Sequence, residues 1–156
     1  MTVLRKMQEE DFQQYISYAI KDFANEKVNA GIWLEGEAYT LAQKAFDNYL
    51  PEGLHTSNEH LFCIISSESE EKIGYFWFHY DEKDPAKAAF VYDFYIFEPF
   101  QGQGYGTKTM HSFEALAKEM GSKKLGLHVF AHNKRAWHLY EKLGYQATDV
   151  TMAKYI

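Results

Sequence analysis

Apolar side chains recur at spacings of three and four residues along the first third of the chain, which predicts two amphipathic helices. The first helix begins near the acidic run at residues 8–11, a composition that suits a helix N-terminus. Its predicted inward face consists of Phe12, Tyr15, Ile16, Ala19, Ile20 and Phe23. The second spans about residues 37–50 and is stopped by Pro51 and Gly53, and a short strand over residues 2–7 precedes both.

Shorter apolar runs in the middle of the chain are bounded by polar turns and predict three strands. They cover residues 59–67, 72–80 and 88–97, and the polar turn between the first two indicates a hairpin. The chain's one cysteine, Cys63, lies within the first of these strands and is expected to be an inert core residue.

Apolar residues at spacings of three and four occur again after the third of these strands. A helix is predicted to begin at about residues 104–107 and to end at Gly121. Its apolar stripe consists of Met110, Phe113, Leu116, Ala117 and Met120. This stripe is typical of a helix packed on a core. A strand over residues 124–130 follows.

The C-terminal pattern predicts one more helix, over residues 133–144, and two final strands over residues 145–147 and 150–155. The complete order is β-α-α-β-β-β-α-β-α-β-β. Since the chain has no internal repeat or linker, residues 1–156 are expected to form a single α+β domain with α/β-type layers. Helices should cover both faces of a mixed central β-sheet.

Composition narrows the classes of function. A chain of 156 residues with 46% hydrophobic content can bury one sizeable core. The net charge of −6 and the lack of a basic block argue against a nucleic-acid partner. No apolar run is long enough to span a membrane, and residues 1–10 contain no signal region. No membrane partner and a cytoplasmic location are therefore expected.

The seven histidines do not indicate a metal site. Their nearest cluster, His128, His132 and His138, crosses a predicted strand–loop–helix junction and has neither a nearby cysteine nor a recognised ligand spacing. We therefore expect no metal cofactor.

A glycine-rich loop follows the strand over residues 88–97. Gly102, Gly104 and Gly106 remove side chains where backbone N–H groups and the start of a helix would face a ligand, an arrangement that suits phosphate oxygens. The spacing fits neither the P-loop nor the G-x-G-x-x-G dinucleotide fingerprint. The alternative interpretation is a strand–helix corner that uses glycine only for its turn.

Two motifs carry a resemblance to a known family. The QGQGYG run from Gln101 to Gly106 resembles the Q/R-x-x-G-x-G/A pyrophosphate loop of the GNAT family, the Gcn5-related N-acetyltransferases. The run from Asn133 to Tyr145 resembles the family's N-x-x-A-x-x-x-Y-x-x-x-G-F/Y signature, and the predicted order of elements is that of the GNAT fold. Independently of the family, the spacing of Asn133, Ala136 and Tyr140 places them on one helical face.

The resemblance implies that acetyl-CoA is the co-substrate and that its acetyl group moves directly to a primary amine. The backbone at residues 95–97 would pair with the pantetheine amides, in a slot opened where residues 127–130 diverge from that strand. The residues implied to bind the donor are Tyr95, Ile96, Phe97, Gln101, Gly102, Gln103, Gly104, Tyr105, Gly106, Thr107, Asn133, Ala136 and Tyr140. The family often has Arg at the position of Gln101, so recognition of the pyrophosphate is expected to rest on backbone amides.

The catalytic roles follow from the same resemblance. Tyr140 would protonate the leaving thiolate as a general acid, and a backbone N–H near Ile96 or Phe97 would stabilise the oxyanion. Asp93 or His128 is the candidate general base, and a water chain without a single base is an open alternative. Each of these side chains also has a purely structural interpretation, as a packed or hydrogen-bonded residue.

The acceptor is not identified by any motif. It would be a small-molecule or peptide amine, bound by a pocket that residues 8–58 help to shape. Trp33, Tyr39, Trp77 and His79 are candidate lining residues, although core packing is favoured for Trp77. The alternatives are a non-catalytic acyl-CoA sensor or interaction module on the same fold, and a binding domain without cofactor. A homodimer is compatible with the resemblance.

Overall fold

The computed structural model describes all of residues 1–156 and contains one five-stranded sheet, in which the strands lie in chain order. Neighbouring strands are antiparallel except the last two, which are parallel. The strands are β1 (Thr2–Lys6), β2 (Glu59–Ser66), β3 (Lys72–His79), β4 (Ala88–Ile96) and β5 (Lys124–Leu127). The expected mixed sheet is therefore confirmed.

Four helices cover the sheet: α1 (Glu9–Asn29), α2 (Glu35–Tyr49), α3 (Tyr105–Met120) and α4 (Lys134–Lys142). Local signals account for their ends. The backbone N–H of Gln8 donates to the Asp11 carboxylate at the start of α1. The backbone N–H of Ala136 donates to the side chain of Asn133, which caps α4, and Gly121 ends α3.

The alternation of side chains along β3 divides the core into two layers. Tyr75 and Trp77 pack against α1 and α2, whereas Phe76 and Phe78 point to the opposite face and pack with Phe113 of α3. Cys63 is fully buried in the first layer, as expected. Helices on both faces of the sheet are thus confirmed.

The two predicted C-terminal strands are wrong. Residues 143–156 form no strand, and their large apolar side chains Val150 and Met152 are 69% and 89% exposed. A strand needs a partner and a face to bury, and the alternating pattern of this segment finds neither beside the four-residue β5. The strand predicted over residues 124–130 likewise ends early, at Leu127.

A bulge in β4 positions the functional region of the sheet. Trp77 of β3 lies opposite Asp93 and Phe78 lies opposite Val91, so Tyr92 is an extra residue in β4. Pairing between β4 and β5 ends at Val91 and Leu127. Beyond this point the strands diverge, as the resemblance implied, and leave a gap beside the C-terminal half of β4.

The backbones of β3 and β4 approach closely at Gly74, which predicts that a single methyl group added there lowers the stability of the fold. In Gly74→Ala the new Cβ would overlap the carbonyl oxygen of Tyr95 and lie 3.1 Å from the Cα of Ile96. Because both obstacles belong to the backbone, we expect a loss of about 2 kcal/mol or more in the free energy of unfolding, measured by urea denaturation.

Gly36→Ala is the matched control, because a Cβ at that position in α2 would meet no atom within 4 Å. It should be neutral or stabilising by up to about 1 kcal/mol. Equal stability of Gly74→Ala and the wild type would contradict the strand register.

Candidate active site

A cavity of about 890 Å³ lies where β4 and β5 diverge. Its walls come from the C-terminal half of α1, the end of α2, the bulged half of β4, the glycine loop, the segment after β5, and α4. One continuous space therefore joins the glycine loop to the bulge in β4. Most of the predicted site residues line it: Asp93, Tyr95, Ile96, Gln101, Gly102, Gly104, Gly106, Thr107, His128, Asn133, Ala136 and Tyr140. The other three, Phe97, Gln103 and Tyr105, do not.

The glycine loop has the geometry of an anion-binding turn. Gly102 and Gly104 have φ angles of 75° and 84°, which lie in the left-handed region that favours glycine. Helix α3 begins directly after Gly104, and no side chain caps its first N–H groups. Free N–H groups and the positive end of the helix dipole thus lie at the loop, which suits an anionic ligand.

A positive charge reaches this loop from α4. The Arg135 guanidinium donates from Nη1 to Gln101 Oε1 at 3.4 Å, and its Nη2 lies 2.9 Å from where a Cβ on Gly102 would be. The expectation that recognition rests on backbone amides alone is therefore incomplete. Arg135 was missed because it is 34 residues from Gln101 in sequence, and only the fold brings the two together.

The backbone of β4 presents Ile96, rather than its neighbours, to the gap. The N–H of Phe97 donates to the carbonyl oxygen of Ile73 at 2.8 Å, so it faces β3 and is occupied. Antiparallel pairing alternates, so Ile96 lies at a non-hydrogen-bonded position and turns its polar groups away from β3. Its carbonyl oxygen accepts a hydrogen bond from Gln101 Nε2 at 2.7 Å. Of the two proposed oxyanion donors, the Ile96 N–H is the one that β3 leaves free.

Asp93 lies beside the bulge and points toward α1. The hydroxyl of the fully buried Tyr15 donates to Asp93 Oδ2 at 2.6 Å. Burial raises the pKa of Asp93 to about 6, and the negative charges of Asp22 and Glu26 on α1 act in the same direction, while the Tyr15 hydrogen bond opposes the rise. Asp93 is therefore an anion at neutral pH with more basicity than an ordinary carboxylate.

Tyr140 lies on α4 and lines the same cavity. Burial raises the pKa of Tyr140 to about 12, and the negative charge of Asp93 adds to the effect. The phenol is accordingly protonated at neutral pH. A proton donor and a proton acceptor thus face one space and interact electrostatically.

His128 lines the cavity beyond β5 but is the more exposed of the two candidate bases. Partial desolvation lowers its pKa, and the ammonium group of Lys27 adds to this. His132 and His138 form separate pairs, with Glu26 at 2.7 Å and Glu141 at 3.8 Å. No group of three or more His, Cys, Asp or Glu side chains is arranged to hold a metal ion.

The acceptor side of the cavity differs from the sequence expectation. Trp77 is 2% exposed and lines the cavity, whereas Trp33, Tyr39 and His79 do not. The lining residues of this side that sequence reasoning missed include Asp22, Phe23, Glu26, Lys27, Phe46, Tyr49 and Tyr92. The spacing of Asp22 and Glu26 on one helical face was a usable signal, but the inward turn of Tyr92 depends on the bulge.

Comparison with known proteins places the chain in one family. A sequence model described as the Acetyltransferase (GNAT) family matches residues 7–145. This chain therefore belongs to the GNAT family of N-acetyltransferases. No helix is long and apolar enough to cross a membrane.

Two relatives from Bacillus subtilis (strain 168) cover nearly the whole chain. The uncharacterized N-acetyltransferase YycN is 43% identical over 155 residues, which are 99% of each chain. The uncharacterized N-acetyltransferase YdgE is 36% identical over 151 residues, 97% of this chain and 96% of its own. The crystal structure of YycN superposes with a TM-score of 0.96 over 100% of this chain and 99% of that one, at 41% identity.

The raised pKa of Asp93 predicts a pH-dependent gain in stability when its charge is removed. The pKa is about 6 in the folded chain against 3.8 for an ordinary aspartate, so the folded state binds more protons between these values. The free energy of unfolding should therefore fall as pH rises through this window. Asp93→Asn has no carboxyl group to ionise at this position, so its free energy of unfolding should not fall in this way. The difference in the free energy of unfolding between Asp93→Asn and the wild type should therefore grow by about 2 kcal/mol between pH 4.5 and 7.5.

Urea denaturation at the two pH values measures this difference. The control is Asp47→Asn, which neutralises an exposed carboxylate of α2 outside the cavity. An advantage of Asp93→Asn that does not change with pH would contradict the perturbed carboxylate.

Proposed function

We propose that the protein transfers an acetyl group from acetyl-CoA directly to a primary amine. The observation that carries the proposal is that one cavity contains the glycine loop, the unpaired edge of β4, and both Asp93 and Tyr140. These are an anion cradle, a set of backbone hydrogen-bonding groups, a base and an acid. Together they provide for each part of the reaction.

The residues of the loop and of α4 fit the donor. The N–H groups at residues 102–107 and the Arg135 guanidinium would bind the diphosphate, for which charge-assisted hydrogen bonds are well suited. The carbonyl oxygen of Ile96 faces the gap and, besides its bond from Gln101, has a second lone pair that would accept from an amide N–H of the pantetheine arm. On α4 the short side chain of Ala136 leaves room for the arm, and Asn133 is held in place as the helix cap.

Asp93 would serve as the general base. The nitrogen of the neutral amine attacks the thioester carbonyl carbon and a C–N bond forms, after which the nitrogen must lose a proton. Asp93 accepts it directly or through a water molecule, since at a pKa of about 6 the carboxylate is ionised at neutral pH. The Tyr15 hydroxyl on α1 donates to Asp93 Oδ2 and so orients the carboxylate. The Ile96 N–H would stabilise the oxyanion of the tetrahedral intermediate.

Tyr140 would serve as the general acid. When the tetrahedral intermediate collapses, the C–S bond breaks and its electron pair leaves with the sulfur. The Tyr140 hydroxyl donates a proton to that sulfur, and the products are the amide and the free thiol. The tyrosinate then regains a proton from solvent and Asp93 releases its own, so the protein returns to its starting state.

The test is release of free thiol from acetyl-CoA with a panel of amines, for the wild type and for Tyr140→Phe. We expect turnover by the wild type and a fall in kcat of about 100-fold or more in Tyr140→Phe, with little change in acetyl-CoA affinity. Tyr145→Phe is the matched control, because this neighbouring phenol packs on Tyr140 but lies outside the cavity.

Three other results would count against the proposal in different ways. Full turnover in Tyr140→Phe would remove the acid role alone. Binding of acetyl-CoA without turnover by any amine would favour the non-catalytic sensor. Failure to bind acetyl-CoA at all would leave only a structural role for the glycine loop.

Arg135 is expected to compensate for the missing charge at Gln101. Arg135→Ala should raise the dissociation constant of CoA about tenfold or more, because a charge-assisted contact to the diphosphate is lost. Donor fragments that end at pantetheine lack the diphosphate and should bind unchanged. Isothermal titration calorimetry at one fixed salt concentration measures both ligands.

Two further variants sharpen this experiment. Lys142→Ala removes a cation from the last turn of α4, outside the cavity, and should have no effect. Adding Gln101→Arg to Arg135→Ala should restore affinity by placing the charge on the loop itself. Equal losses for CoA and for the pantetheine fragment would contradict the assignment of Arg135 to the diphosphate.

A further inference from the structure

The acceptor side of the cavity has an excess of negative charge. Asp22 and Glu26 lie one turn apart on α1, are half-buried and line the cavity together with Asp93. Burial raises the pKa of Asp22 and the charge of Glu26 raises it further. Glu26 has an ion-pair partner in His132, but Asp22 has none. A half-buried carboxylate without a partner is costly, and a bound cation would offset that cost.

The cations of the cavity lining do not neutralise Asp22. Arg135 is directed to the glycine loop, as described above. The Lys27 ammonium lies over three aromatic rings, 5.4 Å from the centres of Phe23 and Trp33 and 5.9 Å from that of Phe130. Lys27 thus shows that rings at this side of the cavity hold an ammonium group, while Asp22 has no cationic partner.

A second polar group beside Asp22 also lacks a partner. The hydroxyl oxygen of Tyr18 is buried and makes no hydrogen bond. Burial raises the pKa of Tyr18, and the negative charge of Asp22 adds to the effect, which places the two groups close together. The hydroxyl can donate toward the Asp22 carboxylate, which lowers the pKa of Asp22 and opposes the effect of burial. Because this hydroxyl is neutral, it does not balance the charge of Asp22, and that role is left to a bound cation.

An apolar floor joins this carboxylate to the reacting centre. Phe23, the residue after Asp22, contacts Phe46 at a centroid distance of 5.8 Å, and Phe46 contacts Trp77 at 5.7 Å. Trp77 lies directly opposite Asp93 in the sheet. The three rings line the cavity and form a continuous surface suited to a carbon chain between two nitrogen atoms.

We propose that the acceptor is an aliphatic diamine or polyamine, one nitrogen of which reacts beside Asp93 while a second, as an ammonium ion, pairs with Asp22. The methylene chain between the nitrogens lies over the rings of Phe23, Phe46 and Trp77. Acceptors that carry a carboxylate at the far end are disfavoured, because Asp22 and Glu26 would repel it. This inference rests on the proposed function, since it names the acceptor class of the same reaction.

The experiment compares three acceptors of equal chain length: an α,ω-diaminoalkane, the alkyl monoamine and the ω-amino acid. Rates are expressed per neutral amine, so that differences in amine basicity do not enter. We expect kcat/KM for the diamine to exceed that for the monoamine about tenfold to a hundredfold, with the ω-amino acid lowest. The diamine's advantage should appear mainly in KM.

Asp22→Asn should abolish most of this advantage by raising KM for the diamine about tenfold or more, whereas KM for the monoamine, which has no second nitrogen to pair, should change much less. Because the charge of Asp22 also raises the pKa of Asp93, the two amines are compared within the variant, where any effect on the base is common to both. The affinity for acetyl-CoA should stay unchanged. Asp47→Asn, the same neutralisation outside the cavity, should change nothing. Asp22→Lys should invert the preference toward the ω-amino acid. This gain of a new preference requires a folded protein and separates a lost contact from a lost structure.

Two other results would overturn the assignment of a diamine or polyamine as the acceptor. Equal kcat/KM for diamine and monoamine, or an equal loss with both in Asp22→Asn, would overturn this inference while leaving acetyl transfer in place. Absence of turnover with every amine would overturn both, and calorimetric titration of acetyl-CoA would then show whether donor binding survives.

Discussion

The end of pairing between β4 and β5 is the constraint on which the rest of the site depends. The bulge at Tyr92 places this ring and Asp93 on the same side of the sheet, although they are consecutive residues. The divergence that follows leaves the polar groups of Ile96 without a strand partner. One distortion therefore creates the open backbone edge and aims the candidate base. A regular β4, paired along its whole length with β5, would provide neither.

The cost of this arrangement is electrostatic. Asp93 is desolvated and lies near two other carboxylates, and the Tyr15 hydrogen bond offsets that cost only in part. Burial also raises the pKa of Tyr140, from 10.0 to about 12. Proteins commonly retain such locally unfavourable groups where they serve function rather than stability. Burial thus makes the Asp93 carboxylate more basic than an ordinary aspartate, whereas it makes the Tyr140 phenol, which is protonated at neutral pH in any case, a weaker acid.

Local signals account for most of the predictable part of the fold. The period of α1, the acidic residues before it, the Asn133 cap and Gly121 at the end of α3 each act within a few residues of chain. The C-terminal strands failed because strand formation requires a partner elsewhere in the chain. The contacts of Asp93 with Tyr15 and of Arg135 with Gln101 join residues 78 and 34 positions apart, beyond the reach of any motif.

The two halves of the cavity are built from different groups, backbone in one and side chains in the other, which explains why the sequence suggests a donor but no acceptor. The donor half consists largely of backbone groups whose exposure glycine and register control, so spacing alone reveals it. The acceptor half consists of side chains from α1, α2 and the bulge. The charges largely follow the same division, with Arg135 at the glycine loop and three carboxylates against one ammonium group at the far wall: Asp22, Glu26, Asp93 and Lys27. Such a field would attract the proposed anionic donor and cationic acceptor to opposite ends and so would orient both before they react.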